Sequence, residues 1–276
     1  MNKNSNTNLS GRSLSLKAIH YESLQPVRID IVDGLISAVI ALEKIESDSA
    51  LDIVAPGLID NQVNGYAGID FSGDQLSAED VAKATVSLWK TGVTTYLPTL
   101  VTNSPQNLIR NFQILAASLA QEEVQRSVAG FHLEGPWLSK LEGFRGCHRE
   151  DQITIPDLNQ LKRFQEAAGG LIAQITLAPE LHGIMELISY CKEHGIISAI
   201  GHSNANSKEI QEACDRGTTL STHLGNGCGN LIHRHNNPLW PQLAQDRLIP
   251  TVIADGHHLT QDELVVFLKA KGSDRL

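Results

Sequence analysis

The 276-residue chain is 41% hydrophobic, 19% charged and 5% aromatic, with 22 glycines and 10 prolines, which suits one large α/β domain or two smaller ones. An excess of 31 acidic over 22 basic residues gives a net charge of −9 without any Lys/Arg-rich run, which excludes a nucleic-acid partner held by phosphate neutralisation. No apolar stretch approaches the ~18 residues of a membrane span, and Met1–Ser10 lacks the basic head and apolar middle of a secretory leader, so a cytoplasmic protein without membrane contact is expected.

Residues 1–13 are expected to lack regular structure. Residues 14–55 read as part of a small β-domain, because Val27–Val32 and Leu35–Ile40 are β-like runs joined by Asp33-Gly34, a hairpin signal. Cys147, Cys191, Cys214 and Cys228 form no CxxC pair, which argues against a disulfide framework or a structural zinc knuckle.

From Pro56 onward the pattern is strand, loop, helix, repeated. Ser77 is a candidate N-cap for a helix carrying Val81, Ala84 and Leu88 and closed near Gly92. A second helix starts at Ser104-Pro105 with Leu108, Phe112, Leu115 and Leu119 on one stripe. A third carries Ile184, Leu187, Ile188 and Cys191 up to Gly195, and a fourth carries Ile210, Ala213 and Cys214 up to Gly217. A last helix begins near Gln261.

Seven β-like runs alternate with these helices: Leu58–Asp60, Thr94–Pro98, Phe131–Glu134, Ile175–Glu180, Ser198–His202, Ser221–His223 and Val252–Asp255. Their polar ends recur about every 32 residues, close to the ~30 of one β/α unit in an eight-stranded barrel. An eighth strand would begin near Lys271, so residues 56–276 are expected to form a TIM-like (β/α) barrel lacking its eighth strand, behind an N-terminal partial β-domain.

In such barrels the C-terminal strand ends carry the chemistry. The polar residues at those ends are Gln62, Asn64, Glu134, Glu180, His202, His223 and Asp255. Glu134, His202 and His223 form a candidate metal set, since one carboxylate and two imidazoles suit a catalytic divalent ion with a position left for water. Against this stands the plainer reading of a single strand-end histidine as a hydrogen-bonded core residue, and of Glu134 as a turn cap. Three such residues at one barrel mouth favour the metal. His132 reads as structural. The Asn226-Gly227 backbone is a candidate anion or sugar-oxygen cradle, Cys147-His148 and Asp255–His258 offer further groups, and Arg234 is a candidate phosphate partner. Gly201-His202-Ser203-Asn204-Ala205 lacks the final glycine of a serine nucleophile elbow, and no phosphate-loop or dinucleotide glycine pattern is present.

The ordered motifs Pro56–Gly65, His132-Leu133-Glu134-Gly135-Pro136-Trp137, Leu177–Glu180, Gly201–Ala205, Thr222-His223-Leu224 and Ile253–Gly256 resemble the N-acetylglucosamine-6-phosphate deacetylases of the amidohydrolase superfamily, from about Asp33 to the end. The resemblance implies one divalent metal, zinc or ferrous iron, on Glu134, His202 and His223. Gln62-Val63-Asn64 stands where many relatives carry the His-x-His of a second metal site. It also implies substrate contacts from Cys147, His148, Asn226, Gly227, Arg234, Asp255 and His258, with Arg234 reaching into a neighbouring subunit of a homodimer. Metal-assisted hydrolysis of the acetamide of an amino-sugar phosphate is the activity implied, with His148 or the metal polarising the carbonyl.

Three departures accompany it. Gly225–Cys228 replaces the family's Tyr-Asn-Ala-Met, Arg234 lies between His233 and His235, and the family's general-base Asp belongs to a Thr/Ser-Asp-Ala motif expected beyond Leu276. Asp274 is not assigned that role. Within these residues no catalytic acid–base group is therefore assigned, and impaired turnover is expected. The competing expectations are a non-catalytic barrel that still binds metal or sugar phosphate, and a deacetylase of another N-acyl amino sugar.

Overall fold

The structure, a computed structural model, describes residues 13–43 and 51–276. Residues 1–12, most of the segment expected to lack regular structure, lie outside the described residues, and Ser13 already opens a strand. The chain divides after Gly57 into two compact units.

The first unit holds a four-stranded sheet built from β1 (Ser13–His20), β2 (Pro26–Val32), β3 (Leu35–Ala41) and β4 (Ile53–Val54), in the order β3-β2-β1-β4. Asp33 and Gly34 both adopt positive φ, 54° and 80°, and this twist lets a two-residue turn join β2 to β3 in antiparallel register, Val32 opposite Leu35. Alternation buries Ala18, Val27 and Ile29 on one side, whereas Leu35, Ile36, Val39 and Ile40 are exposed.

The second unit begins with β5 (Leu58–Val63) and a small hairpin, β6 (Gly65–Tyr66) and β7 (Ile69–Asp70). There follow α1 (Ala78–Trp89), β8 (Val93–Val101), α2 (Pro105–Ser118), α3 (Glu122–Ser127), β9 (Phe131–Glu134), α4 (Leu158–Ala167), β10 (Ile172–Leu177), α5 (Ile184–Glu193) and β11 (Ile197–Ile200). The remainder is α6 (Ser207–Arg216), β12 (Leu220–Ser221), α7 (Leu239–Ala244), β13 (Ile249–Pro250) and α8 (Gln261–Lys271). Strands β5, β8, β9, β10, β11, β12 and β13 pair in chain order, all parallel. This is a TIM-like half-barrel of seven strands. Its curl brings the Asn61 amide on β5 to 3.4 Å from Gln174 Oε1 on β10, three strands away.

Helix starts follow their capping residues. Ser77 Oγ accepts from the Asp80 N–H before α1, and Ser104 Oγ accepts from the Asn107 N–H before α2, whose first residue is Pro105. Reciprocal capping boxes open α6 (Asn206 with Glu209) and α8 (Thr260 with Glu263). The apolar stripes expected on α1, α2 and α5 pack into one continuous core with the strands, among them Val81, Leu88, Leu108, Phe112, Leu115, Phe131, Leu133, Ile184 and Ile188.

Strand boundaries differ from the sequence reading in two informative places. Pro98 reads as a strand end, yet β8 runs on to Val101. Pro98 sits opposite Val63 where the β5–β8 register shifts, so its missing N–H breaks no ladder bond there. The seventh strand is Ile249–Pro250 rather than Val252–Asp255, because pairing with Leu220 and Ser221 of β12 stops at Pro250, and Val252–Asp255 forms the loop beyond. Among the described residues no helix is long and apolar enough to cross a membrane.

Candidate metal centre

Glu134 is the last residue of β9, and His202 and His223 each lie two residues beyond a strand end, β11 and β12. All three are buried, at 2%, 6% and 8% exposure. Their functional atoms converge: Glu134 Oε1 lies 2.9 Å from His223 Nε2 and 3.3 Å from His202 Nε2, and the two Nε2 atoms are 3.1 Å apart. Both histidines take positive φ, 49° and 32°, which turns each side chain back over the barrel mouth at a conformational cost.

The surroundings fix this arrangement. His202 Nδ1 is 3.0 Å from the Phe144 carbonyl oxygen, to which it donates, leaving Nε2 with a lone pair in the neutral ring. Glu180 anchors the loop that follows, accepting from Ser203 Oγ at 2.7 Å and from the Asn204 N–H at 2.7 Å. Ser203 is thus a buried brace and not an activated nucleophile. The His223 N–H donates to Thr251 Oγ1. Gly227 packs against the His202 backbone and the His223 ring, since a Cβ there would meet His202 N at 2.7 Å and His223 Cε1 at 3.1 Å.

Burial alone would raise the Glu134 carboxyl, but the adjoining His202 and His223 imidazoles outweigh it and hold the group well below the usual carboxylate range. Two imidazole nitrogens and a carboxylate oxygen crowded this closely lack protons enough to bond one another in their neutral and ionised forms. One divalent cation satisfies all three. Ligand atoms of a tetrahedral ion at ~2.0–2.2 Å stand roughly 3.3–3.6 Å apart, slightly wider than the 2.9–3.3 Å spacings present. The donor set therefore fits a zinc-like or ferrous ion.

A fourth side chain faces the cluster. His148, in the loop after β9, is buried with Nε2 3.8 Å from Glu134 Oε2, its ring edge-on to His202 at 4.3 Å, and burial pushes its imidazole down to about 4. Below the cluster His132 is also buried, with Nε2 2.7 Å from Thr176 Oγ1 and Nδ1 3.2 Å from Thr99 Oγ1, and Thr176 in turn meets Thr222 Oγ1 at 2.6 Å. Burial pushes this imidazole down to about 4 as well. A cavity of about 310 Å³ joins His223 to Asp60, Gln62, Asn64 and Asp255. The Asp60 carboxyl is raised by burial.

The other sequence-derived candidates are less tightly gathered. The Asn226 N–H donates to the His223 carbonyl oxygen, and its buried Nδ2 has no hydrogen-bond partner among the described residues. Cys147 and Arg234 are exposed. Asp255 and His258 form an exposed turn in which Asp255 accepts from the His257 and His258 N–H groups and lies 2.8 Å from His258 Nδ1, holding its carboxyl well below the ordinary range. Thr102 contacts both His148 and the Glu134 carbonyl, and sequence reasoning misses it because Pro98 reads as the end of the strand before it.

The chain is 32% identical over 257 residues to the N-acetylglucosamine-6-phosphate deacetylase of Bacillus subtilis, covering 90% of this chain and 64% of that protein. It is 35% identical over 234 residues to the enzyme of the same name from Caenorhabditis elegans, covering 78% of this chain and 55% of that one. It thus spans less than two thirds of the length of these relatives. Among solved structures, a mutant N-acetyl-D-glucosamine-6-phosphate deacetylase from Mycobacterium smegmatis, in complex with N-acetyl-D-glucosamine-6-phosphate, superposes with a TM-score of 0.82 at 28% identity, over 96% of this chain and 70% of that one. Residues 53–276, which include every strand of the half-barrel and the whole Glu134–His202–His223 cluster, match the model of a single family, and the chain belongs to that family, the amidohydrolases.

Proposed function

We propose that the protein is a metal-dependent deacetylase acting on N-acetylglucosamine 6-phosphate, releasing acetate and leaving glucosamine 6-phosphate. The observation that carries this reading is the convergence of Glu134, His202 and His223 at the C-terminal strand ends, and the similarity to the deacetylases named above supports the choice of substrate. Those three residues would hold one divalent ion, zinc or ferrous iron. A divalent ion so held lowers the pKa of water and polarises a carbonyl.

The chain's own groups bind and orient the substrate. His148 Nε2 faces the cluster and is placed to donate to the oxygen of an acetamide carbonyl brought there. Asn226 Nδ2, which has no partner among the described residues, and the Gly227 backbone are donors for the sugar or its phosphate. Arg234 supplies the positive charge that a phosphate requires, and the Asp255–His258 turn and Cys147 border the substrate. The same reading carries a cytoplasmic setting and a homodimer in which Arg234 serves the neighbouring subunit. Burial of Glu134, His148, His202 and His223 strengthens the electrostatic contacts made at the cluster itself.

The test is metal content and acetate release by purified protein loaded anaerobically with zinc or ferrous iron. One ion per chain, lost in H202A and E134Q, together with acetate release from the phosphorylated sugar, is the expected result. Metal loading without acetate release from any N-acetyl amino sugar would favour the barrel that binds and does not hydrolyse. Absence of metal binding would overturn both.

A further inference from the structure

His148 serves a carbonyl only if its Nε2 carries the proton, and one hydroxyl decides that. Thr102 follows β8 directly and is buried, with Oγ1 2.8 Å from His148 Nδ1 and 3.3 Å from the Glu134 carbonyl oxygen. A hydroxyl has a single proton to give. Given to the Glu134 carbonyl, it leaves Thr102 accepting from Nδ1–H, and Nε2 faces the cluster as a bare lone pair. Given to Nδ1, it forces the ring proton onto Nε2.

Two observations choose between these. The 2.8 Å contact to Nδ1 is an ordinary hydrogen bond in either alternative, but 3.3 Å to the Glu134 carbonyl is long for an O–H donor, so the hydroxyl proton is poorly used there. Nε2 is buried with no hydrogen-bond partner among the described residues and stands 3.8 Å from Glu134 Oε2. A lone pair facing a carboxylate oxygen across that gap is repelled, whereas an N–H is attracted. The hydroxyl has no room to retreat, because Gly135 comes close enough that a Cβ there would lie 2.1 Å from Thr102 Oγ1.

We propose that Thr102 is a positioning residue that donates to His148 Nδ1 and so locks His148 as the Nε2–H tautomer, a donor aimed at the carbonyl oxygen of the substrate amide. The proposal rests on the deacetylase reading for its purpose, though not for its geometry.

The test uses ¹⁵N-labelled protein, in which long-range nitrogen–proton correlation reports the His148 tautomer at neutral pH without substrate. Wild type and T102S are expected to show Nε2–H, and T102V a mixed or Nδ1–H ring. On the amino-sugar phosphate, T102V should lose about 10²-fold in kcat, the size of a lost carbonyl-polarising donor, with KM and metal content unchanged and T102S restoring the rate. An Nδ1–H ring in wild type, or a tautomer that T102V leaves unmoved, would overturn the proposal. A tautomer that moves as expected in a protein releasing no acetate upholds the Thr102 assignment and counts against the deacetylase reading alone.

Discussion

The imidazole Nδ1 of His202 lies 3.0 Å from the carbonyl oxygen of Phe144, a residue 58 positions earlier in the chain. The bond ties the long loop after β9 to the loop that follows β11, so the ring is oriented from outside its own β/α unit. Such outer hydrogen bonds set ligand orientation and basicity, and losing one typically weakens metal affinity by ~10–100-fold. A carbonyl partner cannot be deleted by mutation, so the tests fall on the side chains and glycines around it.

Gly227 offers the sharpest of these. A methyl at this position would press on the His202 backbone nitrogen and the His223 ring together, and neither can yield without disturbing the cluster. G227A should fold with a loss of ~1–3 kcal/mol, the usual cost of overpacking, and should bind zinc at least tenfold more weakly than wild type. Denaturant unfolding and competition with a chromophoric chelator measure the two effects separately. Unchanged metal affinity would mean that the histidines do not act through this contact.

His132 predicts a pH dependence. Its imidazole is held at about 4 by burial, against 6.5 for the unfolded chain, so between these values the unfolded state binds more protons. Stability is then full above pH ~6.5 and is lost as pH falls towards ~4. The shift corresponds to about 3 kcal/mol at most. His148 titrates in the same window for the same reason. In metal-free protein H132Q should therefore flatten, without abolishing, the fall in unfolding free energy between neutral pH and pH ~4. An identical slope would show that His132 carries no depressed titration.

Arg234 tests the phosphate. A charge-assisted hydrogen bond to an anion is worth ~1.5–3 kcal/mol, so R234A should raise KM for the phosphorylated sugar by roughly 10–100-fold. Metal content and the KM of the unphosphorylated sugar should not move. Equal loss on both substrates would remove phosphate recognition from this residue.

Much of this was legible in the sequence. Glu134, His202 and His223 stand out because each closes a β-like run, and a parallel β/α pattern points all such ends to one side. Thr102 does not stand out, because Pro98 looks like a strand terminator until pairing shows it at an irregularity of the β5–β8 register. His132 is two residues before Glu134 and so shares its face, but its partners Thr99 and Thr176 emerge only once β8, β9 and β10 are in register. The placement of β13 failed for a related reason, since the hydrophobic run Val252–Ala254 is more strand-like than Ile249–Pro250, yet pairing ends before it.

The left-handed backbone of His202 and His223 has a consequence for engineering. Bending a residue other than glycine this way costs of order 1–3 kcal/mol, so the two loops hold strain that the surrounding hydrogen bonds must offset. Glycine at either position should make the metal-free fold harder to melt while abolishing its affinity for the ion, so selection for thermal resistance alone would erode the metal site.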